Sequence, residues 1–319
     1  MKSPGLYLAI VLTVTLAVSV YSCREQSLFA CPVSGYGQDI YLAYCGAGGY
    51  GDYDYGAFWF ELEPAASQAA ANASALFLGN SRMQFGLSSK ATDAWFTTAG
   101  ASYYLLGFAY DGNYLFVEPL LKRLRPSARV YIVNVDLFFE DEQRPPARAV
   151  MRDSAAPIRY TRKRYWQAVH QTVCSSVPMV CEREPAFFRS RATGAWRLAG
   201  GETQFSTALV SYDDAIDNRM VEAHAASGAR FLSTLPVGPE CQILTMIPTV
   251  NTSIGTARAI ASRLGRELVE PGLTDLATFD GSHLTASSAE RWSRAFFEAA
   301  GPRIRSCLAA ATAPGSNGQ

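Results

Sequence analysis

Histidine is scarce in this chain, with three (His170, His224 and His283) among 319 residues. Chemistry that needs an imidazole therefore has few places to sit. Charge of one sign is also lacking: 28 Lys and Arg balance 28 Asp and Glu, for a formal net charge of +0. That balance excludes bulk electrostatic attraction to nucleic acid or to an anionic membrane. No internal repeat of solenoid period is present, which excludes a repeat array. No two cysteines have Cys-x-x-Cys spacing and no histidine cluster lies beside them, so neither a metal centre nor another cofactor is expected. What remains is a chain long enough to bury a full core, as one large domain or two small ones.

The N-terminus carries a long apolar run. Lys2 precedes an uncharged stretch over residues 5–21, and Cys23 and Arg24 follow it. This fits a secretory signal and is marginal as a bilayer-spanning helix. Lys2 favours an orientation with the N-terminus inside. A cleaved signal, a lipid-bearing Cys23 and an uncleaved anchor all place the bulk outside the cytoplasm, periplasmic or secreted. Membrane contact is expected only through residues 1–23. Cysteine usage agrees: without Cys23, six of the seven cysteines remain, an even set suited to an oxidising compartment. Short spacing suggests Cys31–Cys45 and Cys174–Cys181, leaving Cys241–Cys307, one of about fifteen possible pairings.

Residues 24–66 are rich in Gly and Tyr and read as an extension. It docks through Phe58-Trp59-Phe60 and Leu62 onto the main domain, 67–319. From residue 75, apolar runs alternate with helical patterns. The runs are 75–79, 103–107, 129–135, 242–247 and 267–269. The helices are 91–99, 114–124, 256–264 and 288–300, the last expected to stop at Gly301-Pro302. Continuous apolar strands between helices imply a parallel sheet covered on both faces, a doubly wound α/β sandwich. An insertion at about 138–235 is too long for a loop. It reads as a mostly helical cap over the sheet's C-terminal edge, with Arg162, Lys163 and Arg164 beside Tyr165 and Trp166.

Two short strings supply chemistry. In Leu78-Gly79-Asn80-Ser81-Arg82, a serine stands where an apolar run stops and an amphipathic segment starts. In Asp280-Gly281-Ser282-His283, a carboxylate and an imidazole stand three residues apart, just before the last helix. Serine is a poor nucleophile alone and needs a base, and the base needs an orienting acid. Ser81, His283 and Asp280 are those parts.

Gly79-Asn80-Ser81 resembles the Gly-Asp-Ser block of the SGNH (GDSL-type) hydrolases, and Asp280-x-x-His283 resembles their terminal block. The resemblance covers roughly residues 75–136 and 240–300. It implies a three-layer α/β/α sandwich with a flavodoxin-like parallel sheet. It also implies Ser81 as nucleophile, His283 as base and Asp280 as its partner. Asn80 stands where the family has aspartate, and the family's Gly-x-Asn-Asp block is replaced by Val133-Asn134-Val135-Asp136. The candidate oxyanion donors are then Ser81, Gly107, Asn134 and Asp136. Arg82, Arg162 and Arg164 are candidate substrate contacts. The degenerate middle block points to the envelope O-acetyltransferase-like branch. The implied activity is ester hydrolysis or acyl transfer on an acylated glycan or small ester. The alternative is a catalytically inactive module that binds polysaccharide.

Overall fold

The computed structural model describes residues 4–25, 31, 36–46, 50–109, 112–177, 181 and 185–310. Helix α1 (Pro4–Glu25) comes first, and its described side chains, from Pro4 to Ser19, are exposed. The side chain of Cys23, and so its fate, lies outside the described residues. Among the described residues no helix is long and apolar enough to cross a membrane. The extension then forms β1 (Ile40–Cys45), β2 (Gly51–Asp52), α2 (Asp54–Trp59) and α3 (Pro64–Asn72).

Strand and helix alternate from there. The order is β3 (Ala75–Asn80), α4 (Ser81–Gly86), α5 (Ser89–Ala99), β4 (Tyr103–Phe108), α6 (Tyr114–Leu124) and β5 (Val130–Asn134). The insertion contributes α7 (Pro145–Arg152), α8 (Ala156–Ser176), β6 (Ala186–Ser190), β7 (Trp196–Ala199), β8 (Ala208–Leu209) and α9 (Asn218–Leu232). The chain closes with β9 (Gln242–Thr245), α10 (Ile254–Arg263), β10 (Leu268–Val269), β11 (Ala277–Thr278) and α11 (Ala286–Ala310).

Five strands form a parallel sheet in the order β10-β9-β5-β3-β4. Counted along the chain this is the flavodoxin-like order, in which the direction of winding reverses between β3 and β5. Ligands bind at such a reversal, outside the carboxyl ends of the strands. The strands are buried on both faces because alternate side chains enter two cores. Leu76, Leu78, Tyr131 and Val133 pack with α6, α9 and α10, together with the extension. Phe77, Leu105, Ile132 and Ile243 pack with Phe96 of α5 and Trp292 and Phe296 of α11. The result is the three-layer α/β/α architecture that the strand–helix alternation predicts.

Three features differ from, or add to, the sequence reading. The helix expected to stop at Gly301-Pro302 continues to Ala310. Its last turns are held by burial of Ile304 and Cys307, by the Cys241–Cys307 disulfide and by Arg129 bonding the Leu308 carbonyl. These contacts offset the amide donor that Pro302 lacks. Second, the insertion is mainly helical, but β6 and β7 join β1 and β2 in a second, antiparallel sheet ordered β2-β1-β6-β7. Extension and insertion thus form one layer. Third, the disulfides are Cys31–Cys45, Cys174–Cys181 and Cys241–Cys307, the pairing that short spacing suggests. Three such bonds indicate an oxidising, extracytoplasmic environment.

Candidate active site

Ser81 leaves the end of β3 at the sheet's reversal point. The turn there is tight, and glycine makes it possible. A Cβ on Gly79 would lie 2.8 Å from Met83 Cβ, and one on Gly107 would lie 2.5 Å from the Asn80 carbonyl. The two glycines are opposite each other in the β3–β4 ladder. Asn80 caps the short helix α4: its Oδ1 accepts from the Arg82 N–H at 2.9 Å, and its Nδ2 donates to Asp136 Oδ2 at 2.8 Å. Asn80, where the resembled family has aspartate, thus fixes the Ser81 turn to the end of β5.

Asp280 and His283 lie in the loop between β11 and α11. Asp280 Oδ1 accepts the backbone N–H groups of Ser282 at 3.0 Å and His283 at 2.9 Å. Gly281 sits at φ +84°, a left-handed conformation that glycine adopts without strain. That turn aims the other carboxylate oxygen at the imidazole: Asp280 Oδ2 lies 2.7 Å from His283 Nδ1. His283 Nε2 then lies 2.8 Å from Ser81 Oγ. With Nδ1 donating to Asp280, Nε2 is the acceptor for the serine hydroxyl. Burial works to raise the Asp280 carboxyl, but the His283 ring and the two backbone N–H groups outweigh it and hold it below the usual value. Asp280 therefore stays ionised beside the imidazole. The ring is held edge-on by Phe85, at 5.0 Å between centroids, and face-on by Phe279, at 5.6 Å.

The other two histidines are occupied elsewhere. His170 bonds the Tyr36 hydroxyl and the Cys31 carbonyl, His224 is buried on α9, and burial lowers both. His170 also lies near Cys174 and Cys181, whose sulfurs are bonded to each other.

The remaining candidates divide. Arg82 is at the site, but its guanidinium reaches Asp136 at 3.2 Å and Ser282 Oγ at 3.2 Å. It braces the Ser81 turn against the His283 loop. Asp136 is corrected as an oxyanion donor: it accepts from Asn80, Arg82 and the Phe138 N–H. Asn134 accepts the Ile247 N–H through Oδ1, while its Nδ2 is fully buried with no partner among the described residues. Gly107 is likewise closed into the sheet. Of the four oxyanion candidates, the Ser81 backbone belongs to the turn, and Gly107 and Asn134 pack beside it, with Asn134 Cβ 3.2 Å from a Cβ placed on Gly79.

Arg162 and Arg164 are corrected as site residues. Helix α8 packs its Tyr160, Lys163, Gln167 and His170 face on the extension, for example with Lys163 Nζ on the Asp52 carbonyl at 2.7 Å. Helical period turns Arg162 to the opposite, exposed side, and no described contact joins either arginine to the triad.

Sequence reasoning missed the aromatic surround. Phe85 lies one turn after Ser81, so i, i+4 spacing was the available signal. Phe85 and Leu284 line a cavity of about 310 Å³ with Trp196, Arg197, Glu202 and Ser88. Neither this cavity nor a larger one of about 590 Å³, walled by Trp95 and Phe297 of α5 and α11, is lined by Ser81, His283 or Asp280; the smaller one adjoins them through Phe85 and Leu284. No family model, curated protein or solved structure matches this chain.

Proposed function

We propose that this protein is an exported serine hydrolase or O-acyltransferase of the SGNH type, acting on an acylated glycan or small ester. The observation that carries the reading is the unbroken relay from Ser81 Oγ to His283 Nε2 and from His283 Nδ1 to Asp280 Oδ2, at 2.8 and 2.7 Å. In this mechanism Ser81 Oγ attacks the ester carbonyl while His283 takes the hydroxyl proton. Ionised Asp280 stabilises the imidazolium that forms. The tetrahedral adduct expels the alcohol, which leaves with the proton from His283, and an acyl group remains on Ser81. Water or a sugar hydroxyl, deprotonated by the same imidazole, then removes the acyl group. Hydrolysis and transfer differ only in that acceptor. The cavity beside Phe85, with aromatic and charged walls, suits an acylated sugar or another small ester. The N-terminal apolar run acts as the export or anchoring segment.

A fluorophosphonate probe tests the reading. It should label the protein once, at Ser81, and Ser81→Ala should abolish labelling while changing stability by no more than about 1 kcal/mol. Labelling that survives in Ser81→Ala would remove the assignment. A second reading, an inactive module that binds polysaccharide, is favoured by one observation: Asp136 accepts hydrogen bonds where an oxyanion donor is needed. It predicts no labelling of the folded wild-type protein.

A further inference from the structure

Helix α8 has two faces of different character. Its inner face is fully engaged. Gln167 bonds Leu42 and Tyr50, His170 bonds Cys31 and Tyr36, Lys163 bonds the Asp52 carbonyl, and Cys174 is in a disulfide. Its outer face presents Ile158, Tyr165 and Val169 to solvent, at 62, 71 and 54 % exposure. These three and Arg162 follow i, i+4, i+7, i+11 spacing, a single stripe along the helix. The helix carries four basic side chains (Arg159, Arg162, Lys163 and Arg164) and no acidic one. Among the described residues, neither Arg162 nor Arg164 has an ion-pair partner. An exposed apolar stripe with a cation, Arg162, in its middle is the pattern of a helix that lies in a lipid interface.

Chain connectivity supplies an independent constraint. The apolar helix α1 ends at Glu25, and Cys31, six residues on, is fastened to α8 by His170 Nε2 at 2.8 Å. Six residues reach about 20 Å when fully extended. Where α1 is retained as the anchoring segment proposed above, the His170 turn of α8 is held within that reach of the lipid surface.

We propose that the outer face of α8 docks on the surface of an anionic membrane, with Ile158, Tyr165 and Val169 in the interface and Arg162 on a lipid headgroup. The contact would fix how the catalytic layer stands over the membrane that anchors it. Near an anionic surface such cations are attracted strongly, and the attraction falls off within a Debye length.

The test uses the full chain in vesicles of phosphatidylglycerol and phosphatidylcholine whose acyl chains are brominated, a short-range indole quencher. Tyr165→Trp adds an indole on the stripe. Lys90→Trp adds one on α5, on the opposite face of the sheet, where the lysine is exposed. The indole at 165 should lose most of its added emission relative to wild type, and the one at 90 should lose none. Adding Arg162→Glu to Tyr165→Trp should restore the emission. Equal quenching at 165 and 90, or none at 165, overturns the proposal. So does a blue shift at 165 that grows with protein concentration in the absence of lipid, which would mean that a second copy covers the face. An alkaline wash reads the anchor separately. A chain that washes off contradicts the α1 anchor, and α8 is then judged on the indole at 165 alone.

Discussion

At the scale of single residues, the most consequential assignment is that of Arg82. From sequence it reads as a substrate contact, because it adjoins Ser81. In the fold its guanidinium spans Asp136 and Ser282 and so joins the two loops that must meet. Arg82→Gln should therefore lower kcat, by on the order of 10², since small misplacements of reacting groups cost that much. KM for a small neutral ester should barely move. Steady-state kinetics well below the unfolding temperature check this, and a change confined to KM would return Arg82 to the role of substrate contact. Asp52 gives a prediction about pH. Burial, with Asp54 beside it, pushes its carboxyl up to about 7, against the Tyr55 N–H and Lys163. Its Oδ2 has no hydrogen-bond partner among the described residues. A carboxyl raised on folding favours the native state below its unfolded value of about 4, and that contribution is lost as pH rises through 7. Asp52→Asn keeps the acceptor for Tyr55 and removes the titration. It should stabilise the protein at pH 8, on the order of a few kcal/mol, and do nothing at pH 4. Urea unfolding at the two pH values decides it: equal effects at both would mean that the carboxyl does not titrate on folding.

At the scale of elements, the parallel strands and their helices were legible because both signals are local. A fully buried strand is a continuous apolar run, and a helix shows its 3.6-residue period. The meeting of Ser81, His283 and Asp280 was legible for the same reason: Ser81 follows a strand end, and Asp280 and His283 share one turn. The long last helix was not, since Gly301-Pro302 is a local stop signal overridden by contacts from residues far away in sequence. Nor was the fate of Arg162 and Arg164 legible, because composition does not say which side of α8 meets the protein. The oxyanion side was misread where a motif position was carried over without its neighbours: Asp136 has three donors, which sequence cannot show. The Cys241–Cys307 bond closes a loop of 66 residues between β9 and the end of α11. Removing it with Cys241→Ala and Cys307→Ala should cost about 4 kcal/mol by the chain-entropy relation. Amide exchange should then rise first in α11 beyond Pro302. Loss of stability without local exchange there would mean that the helix end is held by packing alone.

At the scale of the whole molecule, the extension is not a separable module. Asp54 of α2 and Arg189 of β6 form an ion pair with both side chains 0 % exposed. Arg189 also bonds the Leu105 carbonyl of β4, and the Tyr41 hydroxyl donates to Asp54 at 2.5 Å. One buried arginine thus ties the extension, the insertion and the five-stranded sheet together. Its guanidinium lies over Phe58 at 5.0 Å and Phe108 at 5.2 Å. Taking two charges out of water is costly, and their attraction roughly offsets that cost, so the pair is a poor source of net stability. Its significance lies in what happens when one partner is missing. Asp54→Ala should destabilise by about 3–5 kcal/mol, because Arg189 is left as an uncompensated buried charge. Asp54→Leu combined with Arg189→Met should cost less than either single change, since a neutral, apolar pair leaves no ion stranded. Denaturant unfolding of the two single variants and the double variant measures this coupling. Single and double costs that simply add would mean that the two side chains act independently. In that case the extension is held to the insertion by the β1–β6 pairing and not by the ion pair.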